Sequence, residues 1–498
     1  MSDQYIIALD QGTSSCRAIL VSRTGEILGI KQKEFTQHFP KAGWVEHDAN
    51  EIWDVQMEVL DQLIDEHQVD PAAILGIGIT NQRETTVVWN RTDSIPVHNA
   101  IVWQDRRTSD TCEWIKKEGE ADYIYQNTGL VVDAYFSGTK VKWMLDNVDG
   151  ARDAAQAGDL CFGTIDSWLI WKMTGGSEHV TDYTNASRTL LYNIRDLKWD
   201  DRILTLLDIP KSMLPTVQAS ASNFGTFKYR GAEIPICGVA GDQQSALFGQ
   251  ACFEKGMAKN TYGTGCFLLM NVGQEFVQSS NGLLTTLCCN AKGEVCYGLE
   301  GSIFIAGAAV QWLRDGLKII QESGESESIA DAVKEEHDVV VVPAFAGLGA
   351  PHWNMYARGA VFGLTRGTER SHLVKATLDS LAYQTKDVID AMSADAGQDL
   401  SILKVDGGAC VNNYLMQFQA DMLQSEVERP EVIETTAMGA AYLAGITLDI
   451  WDADLIRNNR KVDQIFAPKM EKEQQDKLYA QWQKAISRTM NWIDADES

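Results

Sequence analysis

Asp10-Gln-Gly-Thr-Ser-Ser-Cys-Arg17 and Thr261-Tyr-Gly-Thr-Gly-Cys266 are the two stretches that decide the fold of this chain. The apolar runs Ile6–Leu9 and Ala18–Val21 flank the first, and Phe267–Met270 follows the second. Each therefore reads as a hairpin between strands, tipped by glycine and small hydroxyl residues. Such a tip offers successive backbone N–H groups to an anion. Gly12 and Gly263 stand about half a chain apart. That spacing predicts two related halves, each bringing one phosphate-holding turn to a shared cleft.

Outward from the first turn, residues 1–35 read as a meander of antiparallel strands with a second turn at Thr24-Gly25. Asp48-Ala-Asn-Glu51 predicts a capping box, and Ile52, Val55, Val59 and Leu63 follow on one helical face. Ile74–Thr80 and Thr85–Trp89 are short buried strands, so the first half predicts a mixed α/β sheet layered by helices. After the second turn come strands at Gly282–Leu287 and Val295–Leu299, a helix over about Phe304–Ile320 and a buried strand at Val339–Val342. Ile234–Asp242 and Leu403–Cys410 each run from a strand through a glycine turn into a helix, which pairs them as equivalents in the two halves. The boundary falls near Gly249–Gly256, and no Gly/Ser/Pro-rich linker marks it, so the halves are expected to abut and hinge.

At 498 residues the chain predicts two or three domains, with ordinary globular values of 45% hydrophobic and 22% charged residues. Its net charge of −26 argues against non-specific nucleic-acid or anionic-membrane binding. A phosphate site must then find local compensation in Mg²⁺, helix N-termini or a few arginines. The ten cysteines include no CxxC, which excludes zinc-site spacing and fits a reducing cytosol. Met1-Ser-Asp-Gln opens no basic segment leading into a long apolar run, so no secretory signal is expected. No run of roughly eighteen apolar residues occurs, so no stable membrane insertion is expected.

A strand ending in Asp10-x-Gly12-Thr13 sets a carboxylate beside bare backbone, and Asp10 can orient a Mg²⁺-bound water. Arg17 can reach a phosphate oxygen. Asp242 sits where a strand turns into a helix, which suits either an N-cap or a base for an attacking hydroxyl. Arg83-Glu84 follow a buried strand and read either as a solvated corner or as paired donors and acceptor for a small polyol. Trp103 and Tyr135 supply either core packing or an apolar wall with a phenol. Gly407-Gly408, with Asn412 beyond, suits close approach of a base or ribose-phosphate. GxxxxGK[ST] is missing, which excludes a P-loop ATPase.

The paired turns and the second aspartate resemble the superfamily of sugar kinases, hexokinase, heat-shock-70 and actin. Within it, Tyr135-Phe-Ser-Gly-Thr-Lys140-Val-Lys-Trp143 resembles the FGGY carbohydrate kinases. So does Gly359-Ala-Val-Phe-Gly363-Leu364, followed after seven residues by His372–Asp379. The finer similarity, up to about residue 445, is to the glycerol kinases. It is carried by Leu9–Ser15, Gly43–His47, Asn81–Glu84, Val102–Arg107, Phe162–Trp168, Thr181–Ser187, Gly241–Gln244 and Ala357–Gly359.

The resemblance implies an α/β fold of two ribonuclease-H-like domains with mixed sheets layered by helices and an active-site cleft between them. Residues 1–250 would bind glycerol and phosphate and hold the base, and residues 251–498 would bind the nucleotide. The implied reaction is ATP-dependent phosphorylation of glycerol to sn-glycerol 3-phosphate and ADP with Mg²⁺, the first step of glycerol catabolism. Carried over by position, Arg83, Glu84, Tyr135, Asp242 and Gln243 would hold glycerol, with Asp242 as base, and Trp103 and Phe267 would pack on its carbons. Thr13, Ser14, Ser15, Arg17 and Thr264 would meet the phosphates, while Gly307, Gln311, Gly408 and Asn412 would contact the rest of the nucleotide. Asp10 would act on the metal through water. The expected setting is cytoplasmic, as a homodimer or homotetramer.

The alternative is an FGGY kinase for another polyol or ketose, and Arg83-Glu84 with Trp103 and Tyr135 favours the smaller triol. Retention of Asp242 argues against a silent scaffold, and a chaperone-like switch would be expected to carry a separate peptide-binding domain, for which these residues leave no room. Phe227-Lys-Tyr-Arg-Gly231 replaces the glycine-rich basic loop by which some relatives bind fructose 1,6-bisphosphate. No histidine lies between His179 and His337, so control by histidine phosphorylation is not expected.

Overall fold

The computed structural model describes residues 4–335 and 337–493. Its first sheet comprises β1 (Tyr5–Gln11), β2 (Ser15–Ser22), β3 (Ile27–Glu34), β4 (Ile74–Asn81), β5 (Thr226–Tyr229) and β6 (Ala232–Gly241). Their spatial order is β5-β6-β4-β1-β2-β3. The first three strands form the antiparallel meander, while β4 runs parallel to β1 and β6 parallel to β4. Successive side chains of a strand face opposite ways. Ile7, Leu9, Ala18 and Leu20 accordingly pack with Ile52, Val59 and Leu63 of α1 (Ala49–Glu66). Ile6, Ala8, Ile19 and Val21 pack on the other face with Ala437, Ala441 and Ala444, residues from the far end of the chain.

Asp48 caps α1 by accepting from the amides of Asn50 and Glu51. The expected reciprocal box does not close, because Glu51 Oε1 instead accepts from the amide (3.0 Å) and hydroxyl (2.8 Å) of Thr36. The second carboxylate tethers the loop after β3 and leaves the cap to Asp48 alone.

The chain then forms α2 (Asp242–Gly249) and a second sheet of β7 (Met257–Tyr262), β8 (Cys266–Gly273), β9 (Leu284–Cys289), β10 (Val295–Ile303), β11 (Ile402–Asp406), β12 (Val427–Pro430) and β13 (Val462–Phe466). The order is β9-β10-β8-β7-β11-β12-β13. The expected helix over Phe304–Ile320 is shorter. It is α3 (Gly307–Gln311), which widens into a π-helical turn at Trp312–Gly316. The residues before it are drawn instead into hydrogen bonds with the second hairpin. Helices α4 (Arg370–Ala396) and α5 (Asn413–Leu423) pack Leu381, Val388, Leu415 and Phe418 against Leu268, Leu299 and Val405 of this sheet.

The two sheets repeat one plan, but with a different pairing from the expected one. β11 runs parallel to β7 and adjacent to it, as β4 does to β1, so Leu403–Asp406 corresponds to Ile74–Asn81. The counterpart of β6 is β12, the next parallel strand out. Glycine turns after parallel strands look alike in sequence, and only the ladder reveals which strand neighbours the hairpin.

After β12 comes α6 (Thr435–Thr447), which returns to the first sheet and packs beside α2. Glycines permit this approach. A Cβ at Gly78 would lie 2.1 Å from the Ala440 carbonyl oxygen, and one at Gly249 would lie 2.0 Å from that of Thr435. The Ser245 hydroxyl donates to the Thr436 carbonyl at 2.7 Å. On its other side α2 sets Leu247 against Leu269, Cys288 and Cys296 of the second sheet. The α2–α6 pair is thus held between the two sheets. Among the described residues no helix is long and apolar enough to cross a membrane.

Candidate active site

Both glycine turns are hairpin tips. In the first, the Gly12 amide donates to the Ser15 carbonyl at 2.9 Å, which leaves Thr13 and Ser14 at the tip. Ser15 is buried as the first residue of β2, and its hydroxyl accepts from Gln32 at 2.9 Å. Asp10 and Arg17 face each other in the β1–β2 register, with Arg17 Nη1 3.6 Å from the Asp10 carboxylate and 2.8 Å from that of Glu434. Glu434 immediately precedes α6. Burial pushes the Asp10 carboxyl up to about 7; Arg17 opposes the rise, and Glu434 and Asp242 add to it.

In the second hairpin the Gly263 amide donates to the Gly265 carbonyl at 2.9 Å, with Thr264 exposed. The amides of Ala306 and Gly307 donate to the carbonyls of Thr264 (2.9 Å) and Gly263 (3.0 Å), which fixes the start of α3 on this turn. Gln311 ends α3 and is exposed. Gly407 closes the arrangement. Its φ of +86° and the 2.6 Å that would separate a Cβ from the Tyr262 carbonyl both demand glycine. A Cβ at Gly408 would meet nothing within 4 Å, so this glycine faces open space. Thr264, Gly307 and Gly408 therefore gather around one turn. Asn412 is partly committed elsewhere: its Oδ1 caps α5 by accepting from the Leu415 amide at 2.9 Å, and its Nδ2 donates to Ser326 at 3.3 Å.

Asp242 is the first residue of α2, and its side chain is 32% exposed. The Gln243 amide donates to its Oδ1 at 2.7 Å, and Arg83 Nε stands 3.1 Å from the same oxygen. Arg83 and Glu84 are buried, not a solvated corner, and Glu84 holds a strained φ of +60°. Trp103 meets the Tyr135 ring edge-on at 5.6 Å and that of Phe267, from the second sheet, at 6.4 Å. Trp103 Nε1 also donates to the Thr13 hydroxyl at 3.0 Å, which ties this aromatic wall to the first hairpin. Across the cleft, buried Lys259 of β7 donates to the Gln243 amide oxygen, to the Thr261 hydroxyl at 2.9 Å and to the Phe267 carbonyl at 3.1 Å.

Like Lys259, three more charged residues of the site escaped the sequence reading. Arg83 donates to Glu300 through Nη1 (2.5 Å) and Nη2 (3.1 Å), and Arg188 donates to Glu84 at 2.6 Å and to Glu300 at 3.0 Å. Burial would raise the Glu300 carboxyl, yet Arg188 and Arg83 hold it down at about 2. Burial raises that of Glu84, which takes a single short bond from Arg188. The third is Glu434. The available signals were slight. Glu300 is a lone acid in the buried strand Gly298-Leu-Glu-Gly301, Arg188 directly follows the Thr181–Ser187 motif, and Glu434 stands at a helix start.

Residues 5–249 match the N-terminal domain of the FGGY family of carbohydrate kinases, and residues 258–448 match its C-terminal domain. The chain belongs to this family. Its sequence is 59% identical over 495 residues to a glycerol kinase of Halorhodospira halophila, covering 99% of this chain and 98% of that one. It is also 59% identical to one of Alkaliphilus metalliredigens, covering 98% and 99%. Among solved structures, a Plasmodium falciparum glycerol kinase with ADP superposes with a TM-score of 0.92 at 37% identity, covering 98% of each chain. A xylulose kinase of Lactobacillus acidophilus, 21% identical with a TM-score of 0.87 over 98% of this chain and 99% of that one, shares the fold. The chain is thus a two-domain α/β sugar-kinase fold of the glycerol kinase branch.

The site also fits a hydrated magnesium ion. Burial, Glu434 and Asp242 all raise the Asp10 carboxyl against the pull of Arg17, and a nearby cation would offset that cost. Among the described residues no group of three or more His, Cys, Asp or Glu could hold a metal ion unaided. Magnesium suits that arrangement, because it retains waters and binds through a carboxylate and substrate phosphates.

Proposed function

We propose that this enzyme transfers the γ-phosphoryl group of ATP to a terminal hydroxyl of glycerol, giving sn-glycerol 3-phosphate and ADP, with Asp242 as the base. The observation that carries this reading is the contact of Arg83 Nε with Asp242, 3.1 Å, on a floor of buried charge beside the Trp103–Tyr135–Phe267 wall. Charged and amide groups suit the hydroxyls of a triol and the aromatic rings suit its short carbon chain. Arg83 and the Gln243 amide fix one Asp242 oxygen, and the exposed part of the carboxylate accepts the hydroxyl proton as the new O–P bond forms. The bond to the β-phosphate oxygen breaks and ADP departs. The N–H groups at the hairpin tips, Thr13 and Thr264, with Arg17 from β2, hold the phosphates. Mg²⁺, held through water by Asp10, would offset charge on the β- and γ-phosphates.

In this proposal residues 1–250 supply glycerol binding and the base, and residues 251–498 supply nucleotide binding, with α6 returned to the first sheet. Closure of the cleft would exclude water as a competing acceptor. A cytoplasmic homodimer or homotetramer completes the reading, on the strength of the free, buried cysteines and the family.

Coupled ADP release with MgATP and a panel of glycerol, dihydroxyacetone, erythritol, xylulose and ribulose tests it. Glycerol is expected to give the highest kcat/KM. A higher value for xylulose or ribulose would overturn the assignment.

A further inference from the structure

Glu300 belongs to the second sheet, yet its carboxylate lies beneath the first half's candidate glycerol residues. It sits on β10, fully buried, and three guanidinium N–H groups converge on it, two from Arg83 and one from Arg188. Both arginines also reach first-half carboxylates: Arg83 approaches Asp242 at 3.1 Å, and Arg188 donates to Glu84 at 2.6 Å. The bidentate grip fixes the plane of the Arg83 guanidinium and so aims its Nε at Asp242. The neighbouring polar groups tie the same two bodies. The Ser187 hydroxyl is 3.0 Å from that of Thr286 on β9, and Gln244 Nε2 donates to Thr286 at 3.1 Å.

From Glu300 the same strand leads directly to the nucleotide turn. β10 ends at Ile303, and the Ala306 and Gly307 amides then bond the carbonyls of Thr264 and Gly263. A shift of β10 relative to the first sheet therefore moves the Arg83 anchor and the second hairpin together.

We infer that Glu300 is a positioning residue: it sets Arg83 and Arg188 from the opposite domain and couples filling of the glycerol pocket to seating of the nucleotide. This rests on the glycerol reading above. The carboxylate touches no substrate; it acts through the two arginines.

The test uses the full chain with Glu300→Gln, Glu300→Asp and the double variant Arg188→Met/Glu300→Gln. KM for glycerol, kcat, and MgADP affinity with and without glycerol are measured for each. Glu300→Gln is expected to raise the glycerol KM about 10- to 100-fold, the size of a lost charge-assisted contact. It should also abolish the glycerol–nucleotide coupling, which a wild-type linkage of this kind sets at about 5-fold or more. Glu300→Asp keeps the charge and guards against misfolding, but it is too short to span both arginines, so a shift in the same direction is expected. The double variant restores charge balance and should restore neither quantity. Wild-type KM and coupling in folded Glu300→Gln would overturn the inference. So would rescue by the double variant, which would make Glu300 a counter-ion only, or a wild type without coupling. Failure of the glycerol reading shows separately, as a wild type that prefers another panel sugar, and coupling is then scored with that sugar.

Discussion

Gly439→Ala sets two physical effects of opposite sign against each other at the helix pair between the sheets. Alanine in a helix interior is favoured over glycine by about 1 kcal/mol, so α6 alone would gain from the change. Against this, a Cβ at Gly439 would stand 1.9 Å from the Ser245 carbonyl oxygen, where real Cβ contacts essentially never fall under 3.0 Å. The obstacle is backbone and cannot rotate aside. The helices must part by about 1 Å in a close-packed interior, and overpacking of that kind costs about 1–3 kcal/mol. The clash outweighs the propensity, and the thermal midpoint should fall.

The larger effect is on catalysis, because α2 begins at Asp242, within one turn of Ser245. A displacement of about 1 Å at the reacting centre costs about 10²-fold in rate, so turnover at saturating MgATP and glycerol should drop toward that level. Coupled ADP release measures the turnover and scanning calorimetry the midpoint. Gly324→Ala is the control: no atom lies within 4 Å of its added Cβ and its φ is −64°, so neither readout should worsen. An unchanged or raised midpoint in Gly439→Ala would refute the packing argument. A lowered midpoint with full turnover would refute the claim that this interface positions Asp242.

Asp242→Asn should leave glycerol binding near wild type by calorimetry while turnover falls at least about 10²-fold; normal turnover would remove it as the base. Trp103→Phe keeps the wall but deletes the 3.0 Å bond to Thr13, so the KM for MgATP should rise about 5-fold with kcat little changed. Asp166, buried far along the first half among Thr164, Thr181 and Asp182, is raised from 3.8 to about 7 by burial and then by Asp182. The native chain therefore keeps a proton that the unfolded chain releases near pH 4, and this residue costs stability as pH rises from about 4 to 7. The midpoint of Asp166→Asn relative to wild type should climb between pH 5 and pH 8 in calorimetric scans, and a flat difference would rule out the raised acid.

Much of the first half was readable because its strands are locally consistent. Ile6–Leu9 and Ala18–Val21 are buried on both faces, so the hairpin announced itself as apolar runs around a glycine turn. Asp10, Arg17, Arg83, Glu84 and Asp242 were legible as polar residues placed at or near the ends of such runs. The grip of Glu300 on Arg83 was not, since the two are 217 positions apart and nothing local records the contact. The same holds for the return of α6 to the first sheet. Gly78, Gly249 and Gly439 are its requirements, yet in sequence they read as ordinary glycines in apolar segments. The expected pairing of β6 with β11 failed for the same reason, because strand neighbours are fixed by packing at long range.

The acidic composition posed a problem that the cleft answers in an economical way. Of its cationic groups, Arg83 and Arg188 are held by Glu84, Glu300 and Asp242, and Lys259 is buried against Gln243 and Thr261. Arg17 is shared with Glu434 and Asp10. On the proposed reading, phosphate must compete with Glu434 for Arg17, and Glu434 stands at the start of the helix that closes on α2. β6 leads to Asp242 and α2; its counterpart β12 leads to Glu434 and α6. The repeat has therefore placed an acid at the head of each central helix, one that in this proposal would face the accepting hydroxyl and one beside Arg17, the proposed phosphate arginine. With two acids so near, phosphate binding on this proposal would draw on the hairpin N–H groups and a bound cation more than on fixed positive side chains, which would let a chain of net charge −26 hold a triphosphate.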